Sequence, residues 1–190
     1  MEPYPMLSRG ISAVTELLVV VKGYAAGPRR YKGGGGSNFL CLPEDPQWKA
    51  YVDGRQSAVG TISGVENKLR NHGGHPVFSE SNNGGNPLDN YPAPCAVCYA
   101  VGRSTILMVP ARTQCPDGWT TEYAGYLVSE KQSSSRKRSS YICWDEAPEV
   151  TVGLRDQDQA EIFPVEVKCG TLPCSVYIDG REATCIVCSK

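Results

Sequence analysis

Short apolar runs punctuated by glycine and proline recur along this chain, and few of them carry helical periodicity. Ser104–Val109 and Ile162–Val167 are apolar, partly β-branched and bounded by Pro and Gly, which predicts strands. Val176–Ile178 leads into Asp179-Gly180, a strand-then-turn signal. The best helical candidate is the short stretch from Pro46 to Val52, so little helix is expected. The Gly-, Asn- and Pro-rich segment from His72 to Tyr91 reads as an exposed loop.

The runs repeat in order. Gly23-Tyr24 returns as Gly125-Tyr126, and Ser37-Asn38-Phe39-Leu40-Cys41 returns as Ser139-Ser140-Tyr141-Ile142-Cys143, both at an offset of 102. The same offset takes Glu44 and Pro46 to Glu146 and Pro148. Gly64-Val65-Glu66 resembles Pro164-Val165-Glu166 at 100, and Cys95-Ala-Val-Cys98 matches Cys185-Ile-Val-Cys188 at 90. The chain is therefore expected to hold two related halves, 1–101 and 102–190, meeting near Tyr99–Arg103. Spacing alone leaves open whether strands are exchanged between them.

Composition sharpens this picture. Twenty Gly and fourteen Pro in 190 residues exceed the usual share of roughly 12% without a G-X-Y period, which favours turns and excludes a collagen triple helix in this chain. Nine cysteines suit an oxidising compartment, so an extracellular, secreted location is expected. Ile11–Val21 is apolar like a signal core but contains Glu16 and lacks a small-residue cleavage site; a secreted form would have lost its signal or be an incomplete product. No run near 18 uncharged apolar residues occurs, so no membrane span is expected. A net charge of -1 gives no whole-molecule field for nucleic acid.

CxxC serves zinc ligation, thiol exchange or structural disulfides. The two pairs lie 90 residues apart rather than at zinc-ribbon spacing, and Cys95 and Cys98 follow Pro92-Ala-Pro94 in a predicted strand rather than opening a helix. Structural bridges are favoured. Cys169 and Cys174 lie close enough to close a local turn, leaving Cys115 and Cys143 for the terminal pair Cys185 and Cys188. The first half retains Cys41, Cys95 and Cys98; the counterpart of Cys115 is Ala13, so one thiol there lacks its partner.

Several segments carry a family likeness: Gly35-Gly36-Ser37-Asn38-Phe39-Leu40-Cys41-Leu42-Pro43, Pro94-Cys95-Ala-Val-Cys98, Arg103–Pro110, Cys115-Pro-Asp-Gly-Trp119, Tyr141-Ile-Cys143 and Cys169-Gly-Thr-Leu-Pro-Cys174. From about Leu17 to Lys190 the chain resembles the globular domain of invertebrate spongin short-chain collagen-related proteins. That family is similar in turn to the C-terminal non-collagenous domain of type IV collagen. The resemblance implies a mostly β fold of two tandem, C-type-lectin-like subdomains. It also implies the pairs Cys41–Cys95, Cys115–Cys188, Cys143–Cys185 and Cys169–Cys174, with Cys98 free. Three features depart from the pattern: the first Cys-Pro, a preceding collagenous repeat and a local Cys pair in the first half are all missing.

Both halves carry a basic loop between Gly-Tyr and the next Cys: Arg29, Arg30 and Lys32, then Lys131, Arg136, Lys137 and Arg138. Such loops suit a sulfated or phosphorylated polyanion, although a plain solvated loop is the commoner arrangement. Arg136-Lys137-Arg138-Ser139 also reads as a processing site. Gly33–Gly36 lacks the ending of a phosphate loop. Glu44, Asp45, Asp145 and Glu146 are oxygen donors of the kind calcium takes, but acidic turns are more often simply solvated. His72 and His75 form no HExxH, and no cofactor or catalytic site is expected. Tyr24, Trp119, Tyr126 and Trp144 are expected in the core rather than stacked on sugars. No N-glycosylation sequon occurs. The expected function is non-enzymatic: an extracellular matrix interaction or assembly domain, with matrix proteins or glycans as partners and a possible homo-oligomer. The alternative is a lectin-like or glycosaminoglycan-binding protein.

Overall fold

A computed structural model of the chain describes residues 5–6, 17–31, 35–54, 56–57, 59–69, 77–151, 153–157 and 159–190. It is mostly β, with ten strands among the described residues: β1 (Pro5–Met6), β2 (Leu17–Pro28), β3 (Leu40–Pro43), β4 (Ile62–Asn67), β5 (Pro94–Ala100), β6 (Ile106–Pro110), β7 (Thr120–Ser129), β8 (Ile142–Asp145), β9 (Ala160–Pro164) and β10 (Thr184–Ser189). The path runs β1-β5-β2-β4-β9-β7-β10-β6, with β3 added to β2 and β8 to β7. Every pairing is antiparallel except β4 with β9. Among the described residues no helix is long and apolar enough to cross a membrane.

The register repeats. Gly23 lies opposite Pro43 and Cys95, and Gly125 lies opposite Asp145 and Cys185. Glu66 bridges to Pro92 as Glu166 bridges to Glu182. Ala93 N donates to Val65 O and Ala183 N to Val165 O; Glu44 N donates to Lys22 O and Glu146 N to Ala124 O. Each correspondence uses the sequence offsets of 102, 100 or 90.

The two glycines are required by a fold-over of the chain. Neighbouring strands sit roughly 4.8 Å apart, so strands on either side of a third would lie about 10 Å apart in a flat sheet. Yet the disulfide Cys41–Cys95 joins β3 to β5 across β2 with Cα atoms 5.6 Å apart, and Cys143–Cys185 joins β8 to β10 across β7 at 5.7 Å. Backbone therefore crowds the middle strand. A Cβ on Gly23 would lie 1.7 Å from the Leu42 carbonyl oxygen, and one on Gly125 would lie 1.7 Å from that of Trp144.

Residues from both 1–101 and 102–190 share a core. One cluster unites Ala25, Phe39, Val65, Leu69, Phe78, Leu88, Ala93 and Cys95 with Val128, Trp144, Ala160 and Ile162; a second gathers Tyr123, Leu127, Cys143, Ala183, Cys185 and Val187.

Three local expectations are corrected. Pro46–Val52 forms no helix: Trp48, Tyr51 and Val52 stand at helical spacing but are all exposed, so no packing against the core offsets the cost of nucleating so short a helix. Val176–Ile178 is a turn rather than a strand, because the Val176 and Tyr177 N–H groups both donate to Pro173 O beside the Cys169–Cys174 bridge. The segment ending at Tyr91 is not simply exposed. Its residues 77–91 contain a 3-10 turn at Ser81–Asn83, and Phe78 and Leu88 enter the shared core.

Candidate functional site

The cysteines pair as Cys41–Cys95, Cys115–Cys188, Cys143–Cys185 and Cys169–Cys174, leaving Cys98 free. Cys98 lies on β5 opposite Val19 and packs beside the second core cluster. Burial, and secondarily the charge of Glu122, push its thiol pKa up, so the thiolate needed for exchange is scarce.

The two basic loops meet. Lys137 N donates to Arg30 O, Ser140 N donates to Ser37 O, and Lys137 Nζ reaches the Gly36 carbonyl. Arg30 and Arg136 turn inward onto carboxylates, so these two do not contribute to a free basic patch. Arg30, although in a turn, is buried and holds Glu161 Oε1 at 2.5 Å. Arg136 Nη1 takes the other Glu161 oxygen and also Glu130 Oε1 at 2.8 Å. Lys68 Nζ lies 3.5 Å from Glu161 Oε1 and 3.2 Å from Asp156 Oδ1. Both guanidinium groups face the Tyr31 ring, at 4.4 and 5.1 Å from its centroid, and Arg136 also lies over Phe163.

Glu161 is thus a carboxylate on β9 that ties both loops and β4 together. Burial alone would raise its pKa, but the hydrogen bonds from Arg30 and Arg136, with their charges, outweigh that and hold it below the ordinary carboxylate range. Glu130 goes the other way: burial raises its pKa beyond what the Lys131 N–H and Arg136 offset, and the charge of Glu161 adds to the rise. Arg136 is drawn down by burial and more strongly up by its two carboxylates, so it stays charged.

Of the remaining basic candidates, Lys131 and Arg138 are exposed, Arg29 and Lys137 are half-buried, and Lys32 lies outside the described residues. Because Arg136 is clamped and the Lys137 and Ser140 N–H groups are engaged, Arg136–Ser139 does not present the extended free backbone that a processing protease needs. Asp145 Oδ1 accepts the Ala147 N–H, and Glu44 pairs with Lys22 at 3.6 Å, so neither is an idle metal ligand. Among the described residues no group of His, Cys, Asp and Glu is arranged to hold a metal; His72 and His75 lie outside them.

The aromatic candidates divide. Trp144 is fully buried and Tyr126 packs against the core, whereas Tyr24 is 44% exposed. Tyr24 and Leu42 face each other in register, as do Tyr126 and Trp144. Yet Leu40 and Leu42 are exposed, while Trp144 lies beneath residues 77–91: Phe78 packs on Tyr126, Ser79 N donates to Glu146 O, and Asn82 Nδ2 donates to Ala147 O. Sequence reasoning missed Glu161, Glu130 and the cover provided by Phe78. The one available signal was Glu161 standing inside the apolar run Ala160–Phe163. No protein-family profile matches the chain, and no solved structure matches it.

Proposed function

We propose that the chain is a non-enzymatic extracellular module that self-associates, built from two copies of one lectin-like subdomain and related to the spongin short-chain and type IV collagen terminal domains its motifs resemble. Recurrence of the strand register, of the two crowded glycines and of the two cross-strand disulfides supports the duplication. Four disulfides suit an oxidising compartment.

One observation carries the self-association. The Tyr126/Trp144 face is covered by the Phe78 segment that joins β4 to β5, while the matching face with Tyr24, Leu40 and Leu42 is bare. The matching segment, between β9 and β10, is ten residues shorter by the difference of the 100 and 90 offsets, is closed by Cys169–Cys174, and presents Leu172, Val176 and Ile178 to solvent. A bare apolar face and a bare apolar cover on opposite halves favour head-to-tail pairing between copies. Light scattering over a concentration series tests this: the mass rises above that of one chain, and a constant monomer mass rejects it.

A second reading, a polyanion-binding lectin, is favoured by the Lys137–Arg30 backbone bond, which brings Arg29 and Arg138 to one seam. A glycosaminoglycan array with a salt series separates the two: selective, salt-sensitive binding would support the lectin reading, and silence there would favour assembly.

A further inference from the structure

The carboxylates nearest the seam between the two basic loops are engaged. Glu161 is held by Arg30 and Arg136, Glu130 by Arg136, and Asp156 by Lys68. Glu66, opposite Glu161 in register, is buried and accepts the Gln157 N–H at 2.5 Å. Arg29, Lys131, Lys137 and Arg138 have no carboxylate partner among the described residues. In a chain of net charge -1 these four cations make a local positive field that the whole molecule does not have.

The loop that presents three of them is closed on itself and pinned to the first half. Ser139 Oγ accepts the Glu130 N–H at 2.8 Å, Arg136 N donates to Ser133 O at 3.2 Å, and Lys137 N donates to Arg30 O at 3.1 Å. Arg29 and Arg138 therefore stand one residue to either side of that last bond. Two rings continue the array. Lys131 Nζ and the Arg136 guanidinium lie 5.9 and 5.6 Å from the Phe163 centroid, and the guanidinium groups of Arg136 and Arg30 lie 5.1 and 4.4 Å from that of Tyr31. Like charges held together in a fixed loop repel one another, and an anionic polymer relieves this without having to order the loop first. Tyr31, 56% exposed, and the exposed hydroxyls of Ser133, Ser134 and Ser135 add a ring surface and hydrogen-bonding groups, which suit a sugar unit between the anionic groups.

We infer that the seam binds a sulfated polysaccharide, with sulfate groups on Arg29, Lys131, Lys137 and Arg138 and a sugar ring set against Tyr31. The inference rests on the second reading above, that the seam takes a polyanion, and adds the class of polymer and the residues that hold it. Arg30 and Arg136, locked onto Glu161, act as positioning residues for the Tyr31 ring. Disulfides suit an oxidising, extracellular compartment, where sulfated polysaccharides are the abundant anionic polymers.

The test titrates the full chain calorimetrically with a heparin dodecasaccharide over a salt series, beside polyphosphate and single-stranded DNA of equal charge. Heparin is expected to bind most tightly, with a log-log salt slope of about -2 to -3, since each contacted charge contributes roughly -0.7 on a flexible polyanion. Lys131→Ala with Arg138→Ala should weaken heparin binding about tenfold or more and flatten the slope, whereas Tyr31→Ala should weaken it with the slope unchanged. Arg112→Ala with Lys168→Ala, at exposed cations outside the seam, should leave binding as it is. Acetylation of the parent chain with heparin bound, read by mass spectrometry, needs no variant: Lys131 and Lys137 should be protected and Lys168 should not. Polyphosphate or DNA bound more tightly than heparin, and equally lost in the Lys131/Arg138 variant, overturns the sulfated sugar while keeping a polyanion seam. Binding of none of the three, or heparin binding that neither needs nor protects the seam residues, overturns both.

Discussion

Phe78 meets Tyr126 edge to face, with ring centroids 5.2 Å apart and planes at 65°. The pair reaches across 48 residues and from one half to the other, and it is how the first half shields the Tyr126/Trp144 face of the second. Phe78→Ala should destabilise the fold by about 3–5 kcal/mol, because it leaves a cavity in a core shared by both halves. Denaturant unfolding followed by tryptophan fluorescence measures this, and a loss below about 1 kcal/mol would show that the contact is peripheral.

Gly23→Ala and Gly125→Ala should each cost several kcal/mol, since the added carbon would need backbone to move by more than 1 Å at a carbonyl oxygen. Gly64→Ala, where a Cβ meets nothing within 4 Å, should be neutral or stabilising by up to about 1 kcal/mol. Thermal melts of the three variants check the ranking; equal losses at all three positions would contradict the crowding argument.

The mostly β character and the disulfide staples were legible in the sequence, and the strand register pairs residues at the offsets of 102, 100 and 90 read there. Apolar, partly β-branched runs bounded by Pro and Gly located β6 and β9 to within a few residues, and a missing counterpart to Cys115 marked a surplus thiol in the first CxxC. What stayed illegible depends on contacts between halves. Arg30 and Arg136 look like any solvated loop arginine until Glu161 on β9 is brought beneath them. Phe78 and Leu88 lie among Gly, Asn and Pro, where local composition signals exposure and only the facing β7–β8 surface explains their burial.

The buried carboxylates should respond oppositely to pH. The folded-state pKa of Glu161 is depressed, so its contribution is present at neutral pH and lost as the pH falls through and below the usual carboxylate range of about 4. Glu161→Gln should therefore cost about 3–5 kcal/mol at pH 7 by stranding two arginines, with the deficit narrowing in acid. The folded-state pKa of Glu130 is raised, so its contribution is fully present in acid and lost as the pH rises through that value. Glu130→Gln should accordingly fare best, relative to the parent, at neutral pH. Urea unfolding at several pH values tests both; parallel pH profiles for the two variants would contradict the assignment.

Alkylation of the denatured, unreduced chain should label Cys98 alone, and the native chain should label slowly because the thiol is half-buried and its pKa is raised. Cys143→Ala, which opens the bridge to Cys185 across β7, should cost about 2–5 kcal/mol. Cys98→Ala should cost less. Peptide mapping without reduction reads the labelling, and a labelled Cys143 or Cys185 would contradict the pairing.

The most direct test of self-association compares the parent chain with Leu42→Lys by sedimentation equilibrium over a wide concentration range. Leu42 is exposed on the bare face, so the substitution should leave unfolding within about 0.5 kcal/mol of the parent. The account predicts a parent that associates reversibly and a variant that stays monomeric. A parent that is monomeric throughout, or a variant that associates as strongly as the parent, would contradict it.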